Sequence, residues 1–570
     1  MTITSDPAVG GDRRDAAGAA APGIASAPIR ELAWPTLIWL LLAVPALLAR
    51  PPLVSVESPL HAALWWLWQN QGDVPYLPTS RGELPPLFTA LVLMAWRSFG
   101  VDDLWPRLLP GLFVLGALWL TPVAARLLWQ DERDAPRFAS LILAGSGGVA
   151  AYAVMTLPEL PFLLFHVLTL WALASCWRHG QSRGWIIVGV AAGLGTCAVG
   201  PTALLTMLPV AVLLPWAAPS AATAATGRWF GGLALALGIA AGIVAVVYAT
   251  VVGDIAFTDS WLWRFPAYTP IDRVGAMRPF YWYLIILPLA LYPWLWWRVL
   301  WRASVRGRSL VAQPAGRFCL LAAASALVVG IAGGSPSFGV LPMLPPLAIL
   351  SARVLAGHAG RAKDFHAAIP GLTALFVCLF FFMLNIVPVA HLNALWQDLF
   401  AEDLPLWLGG ISLGSGMLLL LGSYALTLLT LQSLQARLLQ VALLPVLLSI
   451  AINMEFKLTL HSYFDLEPIA GQIRRLEERG APVAVAGSYD GAFDFAGRLT
   501  RPPTVLKDTP AALAWAREHP EGVIVSFFQG GILRLPTRPL FLGNADEYRV
   551  AVWATEAVIS TNGEALAPRF

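Results

Sequence analysis

The chain has 570 residues, 57% of them hydrophobic and 12% charged, with a mean hydropathy of +0.67. Soluble globular domains carry roughly 25% charged residues, so this composition excludes that class and describes a polytopic membrane protein. The net charge of +3 is scattered between apolar segments with no polybasic run, which excludes a nucleic-acid partner.

Residues 1–32 are rich in Ala, Gly, Ser and Pro and have no apolar core before Leu37. They read as a disordered cytoplasmic tail and not as a cleavable signal peptide. With a window of roughly 20 apolar residues per bilayer crossing, the first span falls near 33–53. It is followed by the first outer loop, 54–105, whose stretch from Val54 to Leu87 reads VSVESPLHAALWWLWQNQGDVPYLPTSRGELPPL. Glu57, Arg81 and Glu83 stand there among tryptophans and leucines. The apolar piece 85–100 is short, opens on Pro-Pro and contains Arg97.

Further spans are expected near 106–128, 137–155, 159–177, 184–198, 201–217, 229–252, 279–300, 317–333, 338–356, 368–390, 404–432 and 436–454. Charge asymmetry decides the ambiguous piece. If 85–100 lies along the interface, the loops holding Arg13, Arg14 and Arg30, then Arg126, Arg133 and Arg137, then Arg178 and Arg183, share one side. Arg228, Arg298 to Arg317, Arg353 to Lys363 and Arg437 join them, as the positive-inside rule requires. The sequence therefore predicts about thirteen spans, juxtamembrane helices in the first loop, a cytoplasmic N-terminus and an outer C-terminus. Glu57, Arg81, Glu83, the turn Leu157-Pro158-Glu159 and the segment 253–278 then share the outer side.

Cys176, Cys197, Cys319 and Cys378 lie within or at the ends of apolar segments, with no CxxC or Cys/His spacing, and read as packing residues. Beyond 454 the pattern changes to helix (466–478), strand (482–486), helix (510–518), strand (522–527) and strand (548–553). Residues 455–570 thus form a small α/β domain outside the membrane, without a GxGxxG motif. No fixed-period repeat, no matched pair of broken helices and few polar residues in the spans argue against a transporter.

Carboxylates on a membrane face that lacks ATP and nucleotide sugars suit a reaction whose energy is stored in a lipid carrier. They can accept the proton of an attacking hydroxyl, while cationic groups hold a phosphate leaving group. Glu57, Glu83 and Glu159 come from separate segments on that face. The acidic residue after the first span, the Pro-Pro-Leu triplet, Phe99-Gly100 and Arg107-Leu108 together resemble the aminoarabinose transferase and protein O-mannosyltransferase group. The likeness continues through Gly200-Pro201, Arg264-Phe265, LPMLPPLAIL (Leu341 to Leu350) and HSYFDLEPIAGQIRRL (His461 to Leu476).

The resemblance implies an all-α polytopic GT-C-type bundle, 33–454, with a periplasmic α/β domain, in a bacterial inner membrane. It implies a polyprenyl-phosphate-linked sugar as donor, and lipid A or another envelope glycan as acceptor. It also implies catalysis by Glu57 with Glu159, and a divalent metal at Glu83. Departures are visible: Val56-Glu57 stands where the family shows Asp-Glu, and Leu84, Val199 and Phe338 stand where it shows lysines. Trp261 replaces a histidine. The whole chain has only Lys363, Lys457 and Lys507, so Arg81 and Arg264 are the expected holders of the lipid phosphate, a role arginine fills with a bidentate grip. The alternative reading is an inactive homologue that binds lipid or scaffolds an envelope glycan pathway.

Overall fold

A computed structural model describes residues 29–49, 57–70, 85–152, 155–249, 281–333, 336–358, 368–387, 413–429, 433–458, 460–487, 489–528, 536–545 and 548–566, with the isolated positions 391, 393, 394 and 431. The first nine helices are α1 Ile29–Ala49, α2 Ser58–Asn70, α3 Pro86–Phe99, α4 Leu104–Leu128, α5 Ala135–Ala144, α6 Gly147–Tyr152, α7 Pro161–His179, α8 Ser182–Val199 and α9 Thr202–Ala217. Among the described residues, seven helices are long and apolar enough to cross a membrane: α1, α4, α7, α8, Thr226–Val247, Pro314–Ala332 and Leu434–Leu458. The chain is a multi-pass helical membrane protein. Part of the material behind the expectation of thirteen spans, including 250–280 and 395–412, lies outside the described residues.

Two expected spans are interrupted. The stretch 137–155 is broken at Gly145 into α5 and α6. The stretch 279–300 divides into Tyr281–Ala290, a turn through Pro293, and Arg298–Arg306. The last helix exposes Arg298, Arg302 and Arg306 while burying Val299 and Ala303. A charged stripe at that spacing is solvated along a membrane surface and costly in hydrocarbon. Elsewhere small residues let helices approach: a Cβ on Gly189 would stand 2.7 Å from the Ala236 carbonyl oxygen, and one on Gly193 3.1 Å from Ala240 Cα. This is the small-xxx-small contact that replaces hydrophobic driving force between membrane helices.

The bundle has two chemically different ends. At one, Arg126 pairs with Glu31, Arg353 with Asp131 at 2.7 Å, and Arg137 donates to Gln435 at 3.1 Å. Arg178 donates to the Leu128 carbonyl at 2.5 Å and Arg317 to that of Ala217 at 3.3 Å. These contacts join the start of α1, the ends of α4, α7 and α9 and the start of Leu434–Leu458 into one arginine-rich end.

At the other end sits a five-stranded sheet of order β2-β1-β3-β5-β4, built from β1 Val483–Ala486, β2 Thr504–Leu506, β3 Val523–Phe528, β4 Phe541–Ala545 and β5 Tyr548–Ala554. The β2-β1-β3 pairings are parallel and β3-β5-β4 antiparallel. Alternation sorts its residues onto two faces. Ala484, Ile524, Ala551 and Trp553 pack with Trp515 and Val558. Val485, Val525 and Val552 share a core with Ile469 and Ile473 of the helix Glu467–Glu478, and also with Leu64, Trp66, Phe88 and Trp96 of α2 and α3. The juxtamembrane helices therefore belong to the same core as the C-terminal sheet. Trp66 donates its indole N–H to Asp494 at 2.8 Å, Trp65 to the Leu499 carbonyl at 2.9 Å, and Trp96 stacks on Phe495. Gly491 makes the approach possible: its φ is +79° and a Cβ there would stand 2.5 Å from the Ala62 Cβ.

Candidate functional site

Glu57 immediately precedes α2, and its carbonyl accepts the His61 N–H at 3.0 Å to close the first turn, with Pro59 at a position where a missing N–H is harmless. Its side chain is fully buried, and Oε1 accepts the backbone N–H of Thr156 at 2.8 Å. The helix N-terminus favours negative charge at that position. Thr156 belongs to the turn that carries Glu159, so the two glutamates read from the sequence are brought to one turn between α6 and α7.

Glu159 is held by its own backbone, the Phe162 N–H donating to its carbonyl at 3.0 Å, with Pro158 fixing the residue before it. Its Oε2 is buried and has no hydrogen-bond partner among the described residues. Burial raises the carboxyl to about 7. Phe162, Leu341 and Pro342 line the small cavity beside it. The latter two come from the proline-rich helix Pro336–Ala356, where Pro345 and Pro346 supply no N–H to the carbonyls of Leu341 and Pro342.

Other motif residues gather around the start of α7. Phe162 packs in a cluster with Ala198 and Ala203, joined by Leu87 of the Pro-Pro-Leu triplet and Val199 of Val-Gly-Pro. Gly200 ends α8 with φ +72°, the left-handed region that glycine takes without penalty. Arg81, Glu83 and Arg264 lie outside the described residues, as do Val56, Leu84 and Trp261, and the side chain of Phe338. Among the described residues no three His, Cys, Asp or Glu side chains form a metal-ligand group.

A second feature, not among the residues singled out from the sequence, is a cavity of about 420 Å³ between the end of α1, the start of α2, the α3–α4 turn and the C-terminal unit. Asp102, Asp103, Arg107, His461 and Arg498 line it. Arg107 pairs with Asp103 at 3.6 Å and donates to the Ala46 carbonyl at 2.5 Å. Burial, then the hydrogen bond it donates to Asp102, pushes the Asp103 carboxyl up, and that same bond holds the accepting Asp102 low. His461 lies 3.6 Å from Asp465. The Arg498 guanidinium sits 3.9 Å from the Phe495 ring centroid and donates to the Val101 carbonyl at 3.3 Å. The one local signal was the acid-to-arginine spacing of four, Asp103 to Arg107, at the start of a span.

No family model matches the chain. It is 31% identical over 296 residues to the undecaprenyl phosphate-α-4-amino-4-deoxy-L-arabinose arabinosyl transferase of Edwardsiella ictaluri (strain 93-146), covering 46% of this chain and 48% of that protein. To the second such transferase of Sodalis glossinidius (strain morsitans) it is 29% identical over 301 residues, covering 50% of each. The chain thus spans about half the length of the curated relatives it matches. Among solved structures, ArnT from Cupriavidus metallidurans bound to undecaprenyl phosphate superposes with TM-score 0.63 at 15% identity, covering 92% of this chain and 97% of that one. The apo form of the same protein gives 0.65 at 14% identity, covering 95% and 99%. The chain shares that fold, a GT-C-type membrane bundle with a small C-terminal sheet, over nearly its whole length.

Proposed function

We propose that this chain is an integral-membrane glycosyltransferase of a bacterial inner membrane, moving a sugar from a polyprenyl-phosphate carrier to lipid A or another envelope acceptor. The observation that carries the reading is the bond from Thr156 N–H to Glu57, which seats a buried carboxylate on the turn that bears Glu159. The relatives' names supply the donor class, undecaprenyl phosphate-linked aminoarabinose. By the positive-inside rule the arginine-rich end faces the cytoplasm. The glutamates and the C-terminal unit then face outward, with the N-terminus inside. The proposed organisation is a tail over 1–32, a transferase bundle over 33–454 and a periplasmic domain over 455–570.

In this mechanism the acceptor hydroxyl attacks the anomeric carbon of the donor sugar as the bond to the carrier phosphate breaks. Glu57 orients the hydroxyl and accepts its proton, with Glu159 assisting. Glu159, raised to about 7 by burial, is matched to the assisting role, because it is ionised often enough to act and basic enough to bind a proton. Arg81 and Arg264 hold the departing lipid phosphate, which arginine grips through paired donors. Glu83 is the residue that would hold a divalent metal, and no step here passes through one. The Glu159 Oε2, buried and without a hydrogen-bond partner among the described residues, is expensive to retain in a scaffold, which supports catalysis over the inactive alternative.

The test is transfer in vitro. Purified protein, undecaprenyl-phosphate-linked aminoarabinose and lipid A are combined in detergent, and the product is followed by mass spectrometry. Glu57→Gln transferring at the wild-type rate removes the role given to Glu57, and a wild-type chain that modifies no lipid acceptor removes the transferase reading.

A further inference from the structure

The mixed-charge cavity beside α2 is separate from the glutamate turn. We propose that it binds the sugar headgroup of a glycolipid, with the lipid chains leaving over the end of α1. Its identity as the subsite for an uncharged sugar ring of the acceptor rests on the transferase reading; the binding itself does not.

Position argues first. α1 is a membrane span, and its last residues Leu47, Leu48 and Ala49 form one wall of the cavity. Leu48 is 74% exposed. The cavity therefore opens where hydrocarbon gives way to water, with an apolar lip and a polar interior, the arrangement an amphiphile needs. Its volume of about 420 Å³ lies within the ~300–1,000 Å³ of small-molecule sites.

The interior chemistry then selects the headgroup. Asp102 and Asp103 stand against Arg107 and Arg498, so a strong anion meets carboxylates and a cation meets guanidinia. A neutral polyhydroxyl ring suits both, because each hydroxyl donates and accepts at once. Arg498 brings a fixed charge to the lining: its guanidinium is seated on the Phe495 ring and Nη2 donates to the Val101 carbonyl. Among the described residues, Arg498 and Asn562 are the two non-glycine residues with positive φ, both at +50°. A long side chain in that region costs about 1–2 kcal/mol relative to a right-handed conformation, and such strain concentrates at ligand sites. Ser58 and His61, on the first turn of α2, line the same cavity. The occupant thus sits against the helix start that Glu57 leads into.

The experiment measures binding without any donor. Full-length protein in phosphatidylcholine nanodiscs is titrated with a dioctanoyl glycerol bearing one glucosyl headgroup, with dioctanoyl phosphatidylglycerol, and with methyl glucoside. The glucosyl lipid is expected to bind. Arg498→Asn, whose side chain tolerates the left-handed backbone and so preserves the fold, is expected to weaken it about tenfold or more through loss of charged donors. Arg498→Lys and Asp102→Asn should fall between that variant and wild type. Equal affinity of wild type and Arg498→Asn overturns the site. Phosphatidylglycerol binding as tightly as the glucosyl lipid overturns the sugar headgroup, and methyl glucoside binding as tightly overturns the lipid lip. Absence of glucosyl-lipid binding overturns this proposal and leaves the transferase reading standing. Binding by a chain that transfers no sugar overturns only the transferase reading.

Discussion

Asp494→Asn probes the contact that fixes α2 against the C-terminal sheet. The Asp494 carboxyl is fully buried and accepts the Tyr489 hydroxyl at 2.5 Å and the Trp66 indole N–H at 2.8 Å. Those bonds favour the ionised form, but burial outweighs them and raises the group from 3.8 to about 6. A rise of about two units corresponds to about 3 kcal/mol. In the unfolded chain the group releases its proton near 3.8, and in the folded chain near 6. Between those values the folded state holds a proton that the unfolded state has lost, so this group's contribution to stability falls as pH rises through the window and is flat above it. Asparagine keeps an oxygen acceptor and carries no charge. The variant should match wild type near pH 4 and exceed it by up to about 3 kcal/mol at pH 7. Thermal unfolding in nanodiscs at a fixed scan rate, followed by tryptophan fluorescence across that range, gives the difference curve. A gap between variant and wild type that does not change with pH refutes the reasoning.

Glu57→Gln should leave the melting point nearly unchanged, because its amide oxygen still accepts the Thr156 N–H, while turnover drops about 10²–10⁴-fold. Glu57→Ala orphans that buried N–H and should also destabilise by about 1–3 kcal/mol, read as a shift in unfolding midpoint. The wild-type transfer rate should rise with pH through about 7 as Glu159 ionises; Glu159→Gln should flatten that limb, and a profile unchanged by the substitution removes Glu159 from the proton path. Gly491→Ala forces a β-carbon against Ala62 at a positive φ. The expected loss is at least about 1–2 kcal/mol, seen as faster proteolysis of the C-terminal unit, with Gly480→Ala, also at positive φ but in open space, as the control for strain alone.

Long apolar runs were legible as spans because each is decided by its own twenty or so residues. The helix at 467–478 and strands β1, β3 and β5 were legible for the same reason: their periodicity is local. Strand β2, three residues long, and β4, Phe541–Ala545 with a glycine at its centre, carry too little pattern and form only because β1 and β5 present edges to them. Glu57 and Glu159 could be read from their places at the ends of apolar segments. Their meeting could not, since it depends on a backbone bond across 99 positions. The 420 Å³ cavity was illegible for a stronger reason. Asp102 and Arg498 stand hundreds of positions apart, and neither is unusual among its sequence neighbours. The place of Trp65, Trp66 and Trp96 in the core of the C-terminal unit was illegible for the same reason, since their partners lie hundreds of positions away.

That shared core has a consequence for how the protein is made. Trp66 is synthesised 428 residues before Asp494, its partner. At ~5–20 residues per second, α2 and α3 wait roughly 20 to 90 seconds for the sheet that will cover them. Throughout that interval Leu64, Trp65, Trp66 and Trp96 have one another, the neighbouring α4 and the lipid interface to shelter them, a level at which tryptophan is at home. The bilayer thus serves as a temporary partner for surface that the finished protein buries against itself. A chain stopped before the sheet would leave that surface permanently at the membrane, open to association with other chains.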